Sequence, residues 1–174
     1  MEHLTLKLTP QGMERYCRQT RRSARDTATA LAALVAVQTF LAAQVDAEDG
    51  LYRNIRDVLS EHVDALQARL LEESGAAIAA ALRGADSGAL ARAAGPLSRS
   101  GFATALEHAW RALGPAERAT AAAWVRRWCA DARRRGDAAS GYPDAPDFQA
   151  AGIDLREYAA LADIERLLPE LDAC

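Results

Sequence analysis

Two sets of arginines are the residues best placed by type and spacing to do chemistry. Arg15, Arg18, Arg22 and Arg25 recur at steps of three and four, so on a helix they fall within about 80° of arc. Arg126, Arg127, Arg133 and Arg134 form a second set around Asp131. A guanidinium fork suits bidentate contact with phosphate or carboxylate, so both faces are candidates for the backbone of a nucleic acid. The second set closes a helix, where the dipole favours cations and where Asp131 can pair with Arg127 one turn back. The first set lies near a helix start, where positive charge is mildly unfavourable. Phosphate binding or neutralisation by acids of the C-terminal tail, among them Asp144, Asp147 and Glu157, would account for it.

The catalytic inventory is thin. His3, His62 and His108 are each isolated, and His62, on an apolar helix face, is expected to be a hydrogen-bonded core residue. Cys17 points away from its neighbouring arginines and is expected to act as a small core hydrophobe. Asp57, Glu61 and Asp64 make an acidic stripe that, with no histidine at matching spacing, is a solvated face rather than a metal site. No glycine-rich phosphate loop follows a strand, no cysteine pair has zinc spacing, and no Glu-x-x-His is present. No catalytic, cofactor or metal residue is assigned. These absences lean against an enzyme, while leaving room for a site or ligand pocket assembled from single residues between helices.

The elements that must position these residues are helices. From residue 10 to about 47 no glycine or proline follows Gly12, and Met13, Cys17, Thr20, Ala24, Thr27, Leu31, Leu34, Gln38, Leu41 and Val45 keep a three-four rhythm, widened by Tyr16, Ala28, Val35 and Ala42. The spacing predicts one helix of roughly 57 Å, with Thr9 as N-cap, Pro10 at the first position and Gly50 at the C-terminal cap. Its second half is uncharged, and its outer face holds Thr29, Ala33, Ala36, Phe40 and Ala43. Something must cover that face. Alanine, threonine, Gln38 and Gln44 make the run too weakly hydrophobic for a bilayer, which leaves other helices, a second copy or a partner protein.

Residues 51–82 repeat the amphipathic pattern through Leu51, Tyr52, Ile55, Val58, Leu59, Val63, Leu66 and Leu70, giving a long antiparallel helical hairpin. Glycines break up residues 84–101, with one short helix around 89–94. Phe102, Leu106, Ala109, Trp110 and Leu113 predict another helix, and Pro115 begins a further one with Ala121, Trp124, Val125, Trp128 and Cys129 inward. Residues 137–147 read as a loop. Asp154 and Glu157 form a capping-box pattern ahead of a last helix through Leu155, Tyr158, Leu161, Ile164 and Leu168. Leu4, Leu6 and Leu8 alternate with polar residues, the period of a strand, and mark residues 1–9 as an extended arm.

At 174 residues and 50% hydrophobic, much of it alanine, the chain is expected to form a single all-α domain, a bundle of about five or six helices: arm, helical body 10–136, loop, and acidic segment 148–174. The charge is uneven: residues 1–136 carry 19 Lys/Arg against 15 Asp/Glu, the remainder 2 against 9. Three cysteines, two on apolar faces, fit a reducing cytoplasm. The expected function is that of a non-catalytic accessory or scaffold subunit working through a protein partner or self-association, with Ala33, Ala36 and Phe40 at the interface and no membrane involved. The rivals are a nucleic-acid-associated subunit using its arginine faces, and a helical enzyme or small-ligand binder.

Overall fold

The computed structural model describes residues 9–44, 50–141 and 145–171. Among these residues the chain is all-helical, with seven helices and no strand. The strand-like alternation at residues 3–8 and the thiol of Cys174 lie outside them. The chain divides into two compact units, Met1–Leu70 and Leu71–Cys174.

The first unit contains α1 (Pro10–Ser23), α2 (Thr27–Gln44) and the first part of α3 (Gly50–Gly84). The single helix expected over residues 10–47 is therefore two, joined at residues 24–26. Side chains make the break. Ser23 Oγ donates to Gln19 O at 2.9 Å, Ala24 turns to extended backbone with ψ 143°, and Asp26 Oδ1 accepts from Thr29 N at 2.7 Å as the N-cap of α2. These are the local hydrogen bonds by which Ser and Asp outcompete a helix. The bonds from Thr29, with Arg25 beside them, hold the Asp26 carboxyl down at about 2. Thr9 caps α1 as expected, accepting from Gly12 N at 3.0 Å. Gly50 is not a C-terminal cap; it opens α3. Met13, Cys17, Ala30, Leu34, Leu41, Tyr52, Ile55, Leu59, Val63 and Leu66 bury one another as this unit's core.

The break changes the electrostatics of the first arginine set. Arg21 and Arg22 occupy the last turn of the 14-residue α1, where the dipole favours cations. Of the first set only Arg22 gains this; Arg15 and Arg18 lie nearer the middle of α1, and Arg25 stands just ahead of the α2 N-cap, Asp26, with which it pairs.

The second unit contains the rest of α3, then α4 (Ser87–Ala94), α5 (Arg99–Arg111), α6 (Pro115–Ala139) and α7 (Leu155–Leu171). Trp110, Leu106, Leu161, Ile164, Leu168 and Val125 are fully buried in its core. Around the Gly114–Pro115 turn the carbonyls at the end of α5 are covered by two arginines. Arg83 reaches Ala112 O at 3.0 Å, and Arg118 Nε reaches Trp110 O at 2.9 Å and Leu113 O at 3.0 Å. Glu117 reaches back to Gly114 N at 2.8 Å and accepts from Arg83 at 2.9 Å; both bonds lower its pKa, the Gly114 bond most.

Helix α6 continues through Gly136 to Ala139, three residues past the point where the loop was expected. The return that follows is docked on it: Asp147 N donates to Gly136 O at 3.0 Å, Arg135 to Ala151 O at 2.7 Å, and the Phe148 ring stacks on Tyr158 at 4.1 Å between centroids. Asp154 caps α7 through Arg156 N at 2.7 Å, but Glu157 does not complete a capping box. It accepts from Ser87 Oγ at 2.7 Å and ties α7 to α4.

The α3–α4 joint closes with Asp86 N to Ala81 O at 3.1 Å and Ala85 N to Leu82 O at 3.4 Å, the paired bonds of a Schellman motif. The left-handed residue is Ala85, at φ 51°, although Gly84 is beside it. Left-handed backbone costs an L-residue about 1–2 kcal/mol, more than glycine's extra freedom in the unfolded chain. Ala85→Gly should therefore raise stability by about 0.5–1 kcal/mol in urea unfolding; a loss would show that the Ala85 methyl makes contacts that outweigh its backbone strain.

Candidate functional site

Helix α2 carries the candidate site. From Thr27 to Gln44 it has no charged residue, and the joint before it gives the helix a start independent of α1. Ala30, Leu34 and Leu41 turn into the first unit's core, while Thr29, Ala32, Val35, Ala36, Thr39, Phe40, Ala42 and Ala43 are exposed. Phe40 leaves 62% of its surface open and Val35 37%; with Leu155 these are the exposed large hydrophobics among the described residues. A helix apolar on every side is ordinarily buried on every side.

Of the three interface residues expected from sequence, Ala36 and Phe40 are exposed and Ala33 is only half-buried at the edge of the strip. Val35 and Ala42, expected to widen the core face, are instead on the outer one. The joint at residues 24–26 resets the helix phase, which moves the apolar strip toward Ala32, Val35 and Thr39. The strip's polar groups are already engaged. Thr39 Oγ1 donates to Val35 O at 3.0 Å, and Gln38, at the edge, donates to Ser60 Oγ of α3 at 3.3 Å. The outward surface is therefore chiefly methyl groups and one aromatic ring.

The arginine sets are split by their partners. In the first, Arg18 pairs with Glu14 at 2.6 Å and Arg25 with Asp26 at 3.1 Å. Arg15 and Arg22 have no ion-pair partner among the described residues, and with Gln11 and Gln19 they edge a surface hollow of 510 Å³. In the second, Arg133 is bound to Glu165 and Arg134 to Asp131, while Arg126 and Arg127 are exposed. Asp131 pairs with Arg134 and Arg135 rather than with Arg127. Of the tail acids expected to neutralise α1, Glu157 is engaged by Ser87 and Asp147 by the Ala150 N–H at 2.8 Å, while Asp144 lies outside the described residues.

His62 is less isolated than its sequence position implies. Its Nε2 is 2.7 Å from Glu14 and its Nδ1 3.5 Å from Arg21, and the side chain is 13% exposed. The bond to His62, with help from Arg18, lowers the Glu14 pKa. Cys17, one turn along α1, is fully buried, and burial together with the Glu14 charge pushes its thiol up to about 11. Such a thiol is no nucleophile at neutral pH, and the Glu14–His62 hydrogen bond joins α1 to α3. Among the described residues no three His, Cys, Asp or Glu side chains gather as a metal site, and no helix is long and apolar enough to cross a membrane.

The second unit has an open groove of 1020 Å³ between α4, α5 and α7, floored by Ala91, Leu97, Phe102 and Ala160. Its rim alternates Arg92, Arg99 and Arg156 with Asp154, Glu157 and Asp163. Arg99 lies 3.8 Å from Asp163, and Asp154 and Glu157 are held by their own hydrogen bonds. This rim shows no preference of charge. No protein-family model, curated protein or solved structure matches the chain.

Proposed function

We propose that this chain is a non-catalytic helical accessory subunit that works by protein–protein association through the outer face of α2. One observation carries the reading: an uncharged helix of 18 residues holds a 62%-exposed Phe40 and an exposed Val35. Large aromatic side chains supply much of an interface's binding energy, and leaving one in water without a partner has no structural return here. Phosphate binding by the arginine faces has less support, because Arg18, Arg25, Arg133 and Arg134 are already ion-paired.

The test is a photo-reactive phenylalanine analogue at position 40, expressed in living cells, with the same analogue at exposed Gln67 on the polar face of α3 as reference. Ultraviolet light should join position 40 to another protein chain far more efficiently than position 67. Equal yields at the two positions would remove the association reading.

A further inference from the structure

Resting on the association reading, we infer that the occupant of the α2 face is a second copy of this chain, paired antiparallel about a two-fold axis through Ala36. Charge is the first ground. A strip without a single charge over 18 residues needs a partner equally free of charge, since buried unpaired charges are costly. The other exposed large hydrophobic among the described residues, Leu155, stands between Asp154 and Arg156. The α2 face is thus the chain's own best complement.

Size is the second ground. In an antiparallel pair centred on Ala36, positions equidistant from it meet: Phe40 lies opposite Ala32, Ala43 opposite Thr29, and Ala36 opposite itself. All five positions are exposed. Each ring settles over a methyl-sized residue, and the central alanines let the backbones approach as closely as helices pack. A parallel pair would set Phe40 on Phe40 and leave Ala32 facing Ala32, a collision beside a void. Antiparallel pairing also places the two helix dipoles favourably.

Extent is the third. Eighteen residues span ~27 Å, and one helix pair of that length belongs with the weaker interfaces, below about 1,200 Å² in total. The dimer is therefore reversible, with a dissociation constant in the micromolar range, and a monomer–dimer balance is set by the chain's own concentration.

Sedimentation equilibrium of the full chain tests this. The mass should rise from 18.7 kDa toward twice that value as concentration climbs to ~100 µM, well above a micromolar dissociation constant. Phe40→Asp should stay at the monomer mass with unchanged helical circular dichroism. In a Cys174→Ser background, Ala36→Cys should form a disulfide-linked dimer under mild oxidation. Ala43→Cys should not, because its two copies would lie ~21 Å apart along the axis. A wild-type chain that remains at 18.7 kDa throughout overturns the second-copy inference; position 40 joining a different protein in cells then leaves the association reading standing. Cross-linking through Ala43 in place of Ala36 overturns the two-fold pairing.

Discussion

Leu34→Ala should lower the stability of the first unit by about 2–5 kcal/mol. Leu34 is fully buried, in a core cluster drawn from three helices that includes Met13 and Cys17 of α1, Leu41 of α2, and Leu59 and Val63 of α3. Alanine there opens a cavity that the surrounding packed side chains refill only in part. All three tryptophans, Trp110, Trp124 and Trp128, belong to the second unit. The change should therefore show in the early part of a urea transition followed by far-ultraviolet circular dichroism, and hardly at all in tryptophan fluorescence. A loss under half a kcal/mol by circular dichroism would remove α2 from the core of that unit.

Gly136→Ala should destabilise the second unit by about 1–3 kcal/mol, against the usual direction for this substitution. Within an ordinary exposed helix, exchanging glycine for alanine gains roughly 0.5–1 kcal/mol. Here the new methyl carbon would stand 3.0 Å from Pro146 Cβ, 3.0 Å from Phe148 Cδ1 and 3.1 Å from Phe148 Cε1. Neither ring can swing away cheaply, since proline is rigid and Phe148 is stacked on Tyr158. The whole return after α6 would have to lift. Tryptophan fluorescence in urea reads this directly, and a midpoint that rises would show that the docked return is not held at Gly136.

Residues whose partners are near in sequence were legible. Thr9 with Pro10, Gly114 with Pro115, and the apolar stripe of α3 all led to elements that formed, because caps and periodicity are properties of a few adjacent residues. The interruption at residues 24–26 was hidden for a physical reason. Ala24 and Thr27 fit either the face of a continuous helix or a joint, so the three-four rhythm passed through unbroken. The available cue was Asp26, an N-cap residue standing directly before an uncharged run, with Ser23 able to bind back onto α1. Glu157 illustrates the opposite case: its spacing from Asp154 satisfied the capping pattern, but Ser87, seventy positions away, offered a better hydrogen bond. The candidate site was visible in outline through Ala36 and Phe40. The inclusion of Val35 and the retreat of Ala33 depended on the helix phase set by the hidden joint.

Cys17 and Cys129 are both fully buried, one in each unit, and burial pushes each thiol up to about 11. Protonated and out of contact with solvent, neither can attack a disulfide reagent in the closed fold, so reaction at each waits for its own surroundings to open. Opening brings the ordinary thiol pKa back and the reagent in together. The rate at which each sulfur is trapped in undenatured protein is then a clock for local opening around it. This chain holds two such clocks, separately readable by mass spectrometry of the labelled peptides. They measure the opening free energy of each unit, under native conditions, without any engineered probe.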